Sequence, residues 1–106
     1  MGRRLIFSVQ SPLGYRVKLA RDRWRVITRF KHPAVAGKID LVRECVSCPD
    51  AIRESDNDSE VHIYYKQFAG SLLCVVAAPV GGTNDRFVVT AYFTRKQKEG
   101  VQIWTK

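Results

Sequence analysis

The sequence predicts an α+β domain made of an N-terminal β-hairpin, two helices and then a three- to four-stranded antiparallel sheet. Three observations predict it. Apolar residues alternate with period two near both ends of the chain. Between Arg21 and Cys48 the spacing changes to three and four, the period of a helix with one buried side. Turn-forming residues fall at the changes of period, in Ser11-Pro12-Leu13-Gly14, at Pro33 and in Cys48-Pro49-Asp50. Helices gathered between strands place the helices on one face of the sheet.

Each element follows from its residues. Leu5 to Val9 reads as a short strand, and Tyr15-Arg16-Val17-Lys18-Leu19 alternates as a half-buried strand does. Pro12 and Gly14 supply the dihedrals of the turn between them, which makes the pair a hairpin. In the first helix Trp24, Ile27 and Phe30 share the core-facing side, and Arg21, Arg25 and Arg29 form a row on the other. Pro33 stops that helix. A second helix is predicted from Pro33 or Ala34, burying Val35, Ile39, Val42 and Val46, with Gly37 as a weak point of about 1 kcal/mol relative to Ala. Glu54 to Glu60 is a polar loop.

Three strands follow the loop. Val61, Ile63 and Tyr65 alternate with His62, Tyr64 and Lys66. Leu72 to Val80 is almost wholly apolar, as in a central strand covered on both faces. Gly81 to Asp85 is a hairpin loop. In the last long strand Phe87, Val89, Ala91 and Phe93 face one way, and Arg86, Val88, Thr90, Tyr92 and Thr94 the other. Val101 to Trp104 is a candidate short edge strand. With the helices on one face, the open face is predicted to carry His62, Tyr64, Lys66, Arg86, Thr90, Tyr92 and Thr94. That set suits a ligand surface, and it also suits a plain solvated sheet face.

Length and charge bound the function classes. The 106 residues suffice for one domain, residues 1–106, and are too few for two. No apolar run approaches the roughly 20 residues of a membrane span, so a cytoplasmic protein with no targeting segment and no membrane partner is expected. The net charge is +8. Residues 1–31 hold nine basic side chains against Asp22 alone, and the remainder holds nine of each sign. Charge gathered in this way attracts a polyanion, because each neutralised phosphate releases counterions. A solvated surface that keeps a small protein soluble accounts for the same charge.

Several chemistries can be weighed on residue types. Cys45-x-x-Cys48 has finger-like spacing, but the second pair a tetrahedral zinc needs is missing and Cys74 stands in an apolar strand. Asp56, Asp58 and Glu60 imitate the start of a calcium loop, yet Val61 occupies the required glycine position. A redox dithiol at Cys45 and Cys48 would sit at a helix C-terminus, where the dipole disfavours thiolate. No nucleophile elbow pairs a Ser or Cys with either His. No metal or cofactor is therefore assigned. RNA cleavage remains, since the 2′-hydroxyl is an internal nucleophile and the protein need supply only a base or acid and cations. His32 follows the arginine-rich helix and brings an imidazole, the side chain suited to acid–base work, although a helix-terminal imidazole beside the last carbonyls has the same placement. Arg53 and Lys66 are candidate phosphate ligands, and Tyr64, Tyr92 or Trp104 are candidates to stack a base.

Four stretches together carry a resemblance. They are Ser11-Pro12-Leu13-Gly14 with Val17 and Leu19; Arg23-Trp24-x-x-Ile27 ending in Lys31-His32-Pro33; Cys48-Pro49-Asp50-x-Ile52-Arg53-x-Ser55-x-x-Asp58; and Val89-Thr90-Ala91-Tyr92-Phe93-Thr94 with Ile103-Trp104. In this order the set resembles a family of bacterial and phage proteins of the barnase–EndoU–colicin–RelE group of small nucleases, over nearly the whole chain. The resemblance implies a barnase- or RelE-like core, an RNA substrate (single-stranded, tRNA or mRNA), no cofactor, and a site lined by His32, Arg53, Ser55, Asp58, Lys66, Thr90 and Tyr92. It departs in two places: Ala34 stands where an acid commonly follows His-Pro, and Lys66 stands where Arg is common.

The expectation is a toxin-like, metal-independent endoribonuclease. In it His32 is general base or acid, Arg53 and Lys66 stabilise charge, and Thr90 and Tyr92 orient the phosphate. Arg21, Arg25, Arg29, Lys31, Ser55, Asp58, Tyr64 and Thr94 contact the nucleic acid. The alternative, favoured by Ala34, is a non-catalytic RNA- or protein-binding module on the same fold. An acidic antitoxin or neighbouring phage protein is the corresponding protein partner.

Overall fold

The computed structural model describes residues 4–97 and 100–106, so Arg3 of the basic segment lies outside the described residues. Strands β1 (Leu5–Gln10) and β2 (Arg16–Ala20) form the expected hairpin. Its turn is closed by the Ser11 N–H on the Tyr15 carbonyl at 2.9 Å, with Gly14 at φ +95°. Helix α1 (Arg21–Val26) runs into a π turn over Ile27–Lys31, and a 3₁₀ turn follows at Pro33–Val35. Helix α2 spans Ile39–Ser47. Five strands complete the chain: β3 (Ala51–Glu54), β4 (His62–Phe68), β5 (Ser71–Pro79), β6 (Arg86–Thr94) and β7 (Gln102–Thr105).

The α+β class is as predicted, but the sheet is larger. It is a single mixed sheet of seven strands in the order β1-β2-β6-β5-β4-β3-β7. Two features enlarge it. The hairpin joins through a short parallel contact, Val17 with Arg86 and Lys18 with Phe87. Strand β3 also pairs between β4 and β7. It has four residues directly after the helix stop, two of them charged, so it carries no alternation of useful length. The candidate strand near Val101 is β7, an edge strand as expected. To reach it from β6 the chain passes Gly100, at φ +136°, where a Cβ would strike the Glu54 carbonyl. Only glycine fits there.

The helical segment departs from a simple pair of helices. The His32 N–H reaches back five residues to the Ile27 carbonyl at 2.7 Å. In so wide a turn a three-residue spacing no longer returns to the same side. Phe30, expected in the core with Trp24 and Ile27, is 79% exposed, while Ile27 is fully buried. The predicted second helix is interrupted after Val35 by Gly37 at φ +78°. Its buried stripe survives the break: Val35, Val42 and Val46 are sealed, each burial worth about 1.5–3 kcal/mol.

Register settles which side chains share a face. Tyr64, Val75 and Ala91 lie opposite one another across β4, β5 and β6, as do Lys66, Leu73 and Phe93. Tyr64, Val75, Ala91 and Leu73 belong to the core that holds Val42, Cys45 and Val46 of α2. The opposite face carries the rows Tyr65–Cys74–Tyr92 and Ile63–Val76–Thr90, which form a second, smaller apolar cluster. The predicted open face is thus corrected. His62, Tyr64, Lys66 and Arg86 are on the helix side, and Thr90, Tyr92 and Thr94 are on the other. Two causes apply. Both faces of β4 are buried from His62 to Tyr65, so hydropathy alternation does not report its inward side. In β6 a bulge falls where Val76 faces Thr90 but Ala77 faces Val88, and the extra residue inverts the alternation.

Among the described residues no helix is long and apolar enough to cross a membrane.

Candidate functional site

The second sheet face meets the helical segment at β6. Among the described residues β2 meets β6 only at Arg86 and Phe87, so the rest of that edge of β6 is flanked by α1 and the 3₁₀ turn instead of a strand. The π turn delivers His32 to this edge, where its ring lies 5.1 Å from the Tyr92 ring at an interplanar angle of 34°. Thr90 and Thr94 stand two residues to either side of Tyr92 on the same face, about 7 Å away along the strand. The result is a column of three hydroxyl-bearing side chains on one face of β6, the middle one, Tyr92, against the imidazole.

The three hydroxyls differ in their surroundings. Burial, reinforced by Cys74 beside it, pushes the Tyr92 phenol well above its ordinary value, so it remains a proton donor through the neutral range. The Thr90 Oγ1 is shielded from solvent and has no hydrogen-bond partner among the described residues. Thr94 donates to the Lys96 carbonyl at 3.3 Å. An unpartnered hydroxyl can engage a polar ligand atom that reaches it without breaking a bond within the protein.

The basic row lies on the same helical segment. Arg21, Arg25, Arg29 and Lys31 are exposed. Among the described residues none of them has an acidic partner; the ion pairs are Lys18–Asp85, Arg43–Asp40, Lys66–Glu44 and Lys106–Asp50.

The other predicted site residues are placed elsewhere. Arg53 shares the second face, but its row runs Arg53–Ile63–Val76–Thr90, three strand spacings or about 14 Å from Thr90. Its guanidinium donates to the Gln97 side chain at 2.7 Å and to the Gly100 carbonyl, tying down the connection to β7. Lys66 lies on the helix side, donating to the Cys48 carbonyl at 2.8 Å with Glu44 at 4.0 Å. Ser55 and Asp58 organise their own loop by accepting the Asn57 and Glu60 N–H groups. Tyr64 is fully buried, so it cannot stack a base.

A second polar cluster was not apparent from the sequence. Tyr64 accepts from Ser11 at 2.7 Å and donates to the Tyr15 hydroxyl at 2.6 Å, and Tyr15 donates to His62 Nδ1 at 2.6 Å. The Arg86 guanidinium covers the Tyr15 ring at 4.1 Å and donates to the Glu60 and Asn84 carbonyls, each at 3.2 Å. Burial, with the Arg86 charge second, lowers the His62 pKa and favours the neutral imidazole that accepts from Tyr15. The hydrogen-bonded partners of the Ser11–Tyr64–Tyr15–His62 chain lie 47, 49 and 53 residues apart, so no local spacing marks them. The one available signal was a polar residue at each of several strand positions facing the helices.

Among the described residues no group of three or more His, Cys, Asp or Glu converges as metal ligands. Cys45 is buried with its thiol on the Leu73 carbonyl, and Cys48 is exposed. Comparison with family models, curated proteins and solved structures finds no match.

Proposed function

We propose that the chain binds single-stranded RNA along the basic α1 and π-turn segment and cleaves it at His32 without a metal ion. The observation that carries this reading is the imidazole of His32 resting on Tyr92, at the end of a segment whose Arg21, Arg25, Arg29 and Lys31 are exposed and have no acidic partner among the described residues. His32 accepts the proton of the 2′-hydroxyl as the O2′–P bond forms. Thr90 and Tyr92 donate to the non-bridging oxygens, where negative charge gathers. The P–O5′ bond breaks, solvent at this open edge protonates the departing 5′-oxygen, and a 2′,3′-cyclic phosphate is left. This reading assigns a cytoplasmic setting, where the RNA is.

The test is incubation of the purified chain with total RNA in EDTA, from about pH 5 to 9. Fragments ending in cyclic phosphate, lost in His32→Ala, are expected. Equal inertness of both proteins across the series overturns the enzyme reading.

One observation favours a second reading, binding without cleavage. Arg53 and Lys66, which would supply phosphate charge in a cleaving site, are both engaged by the protein's own groups. Under that reading RNA is retained intact, and its affinity falls steeply with salt.

A further inference from the structure

A groove of about 500 Å³ lies between β1 and α1. Leu5 and Ile6 form one wall, Ile39 adds to its apolar lining, and Arg21, Trp24 and Arg25 line the helix side. The sequence pattern placed Trp24 and the arginines on opposite sides of the helix. In the structure positions 21, 24 and 25 form one stripe, as residues three and four apart do. Both guanidiniums are exposed and without an acidic partner among the described residues. Thr28, also at the groove, turns its hydroxyl back to the Trp24 carbonyl at 3.0 Å and leaves the two cations as the charged groups there.

We propose that this groove is a nucleotide subsite, seating one nucleotide of single-stranded RNA with its base against Trp24 and its phosphate between Arg21 and Arg25. Indole and aliphatic surface take the base without regard to its identity. Two guanidiniums four residues apart suit a phosphate, which accepts bidentate donors. The volume is that of a small-molecule site and falls short of what a docked protein helix needs. The biological ligand rests on the RNA reading above, whereas the groove stands on its own geometry.

Calorimetric titration of the full chain with uridine 5′-monophosphate tests it. Saturable binding at one site is expected, displaced by a ten-residue uridine oligonucleotide. Arg21→Gln and Arg25→Gln should each weaken it about tenfold. Trp24→Leu, which keeps an apolar wall, should weaken it at least about fivefold. Uridine alone and inorganic phosphate alone should each bind at least about tenfold more weakly. Lys106→Gln, beside β7 at the opposite edge of the sheet, should leave the nucleotide affinity unchanged. Phosphate binding as tightly as the nucleotide would reduce the groove to a bare anion site and overturn the proposal. So would unchanged affinity in the Arg21→Gln/Arg25→Gln double variant, or a groove that takes an acidic peptide and no nucleotide. RNA cleavage by variants with an emptied groove would sink the subsite alone. Nucleotide binding by a chain that cleaves no RNA would sink the enzyme reading alone.

Discussion

Around His62 the polar side chains have partners. Ser11, Tyr64, Tyr15 and the imidazole form a continuous chain of hydrogen bonds, all four residues less than 9% exposed, with the Arg86 guanidinium stacked on top. Around His32 the same residue types are left with work to do. The ring touches Tyr92, and among the described residues the Thr90 hydroxyl has no hydrogen-bond partner and the cations of the helical segment have no acidic partner. Both clusters hold a histidine beside tyrosine. The first uses its hydrogen-bonding capacity to join the β1–β2 turn to β4, and the second leaves the shielded Thr90 hydroxyl without a partner among the described residues. Composition does not separate a structural histidine from a reactive one; the accounting of hydrogen bonds does.

The largest expected effect attacks that contrast directly. His32→Ala should lower RNA cleavage by about 10²–10⁴-fold, the usual range for a general base. Its effect on stability should stay within about 0.5 kcal/mol, as for a residue outside the core. Tyr64→Phe should do the reverse. It takes one hydroxyl from the sealed chain, deprives Ser11 and Tyr15 of a partner, and should cost about 1–3 kcal/mol in urea denaturation while leaving cleavage by the folded protein intact. A cleavage loss in Tyr64→Phe at full folding would show that the two clusters are not separate.

Thr90→Val sharpens the comparison further. Replacing a shielded hydroxyl that has no partner by a methyl of the same shape should raise stability by about 1 kcal/mol. Cleavage should fall about tenfold at the same time, because a transition-state donor is lost. A destabilised Thr90→Val would mean that the hydroxyl is satisfied within the fold, and the site would lose its open donor.

The sequence made the α+β class, the first hairpin, the α2 stripe and the β7 edge legible, because each rests on local periodicity or a turn signal. It did not reveal the face of each strand. Alternation turns Val61, Ile63 and Tyr65 inward and leaves His62, Tyr64 and Lys66 on the open face, but β4 is covered on both sides and Tyr64 is held on the helix side, bonded to Ser11. In β6 the bulge before Thr90 leaves no mark in hydropathy. The π turn likewise hides in an ordinary helical pattern, yet it places His32 on Tyr92 and turns Phe30 outward. Of the candidate site, His32 and Tyr92 come together and Thr90 shares the face of Tyr92, whereas Lys66 and Arg53 are drawn away by contacts with Cys48, Gln97 and Gly100 that no spacing announces.

The smallest effect concerns pH and tests the sealed cluster alone. Burial holds the folded-state pKa of His62 below the unfolded value near 6.5, so the unfolded chain binds the extra proton first as the solution is acidified. The stability that His62 contributes is therefore complete above about pH 6.5 and declines as pH falls from there through the lowered folded value. Asp50, held low chiefly by the Gln67 N–H and then by Lys106, loses its own contribution only at more acidic pH, below the ordinary carboxylate value of 3.8. The Asp50 window opens at lower pH than that of His62, and urea midpoints measured between about pH 7.5 and 5 report chiefly the histidine. His62→Gln keeps an acceptor for Tyr15 but cannot titrate, so its midpoint should be flatter across that interval than that of the wild type. A wild-type midpoint that rises on acidification would mean that the imidazole gains a proton inside the fold, and Tyr15 would then have lost its acceptor.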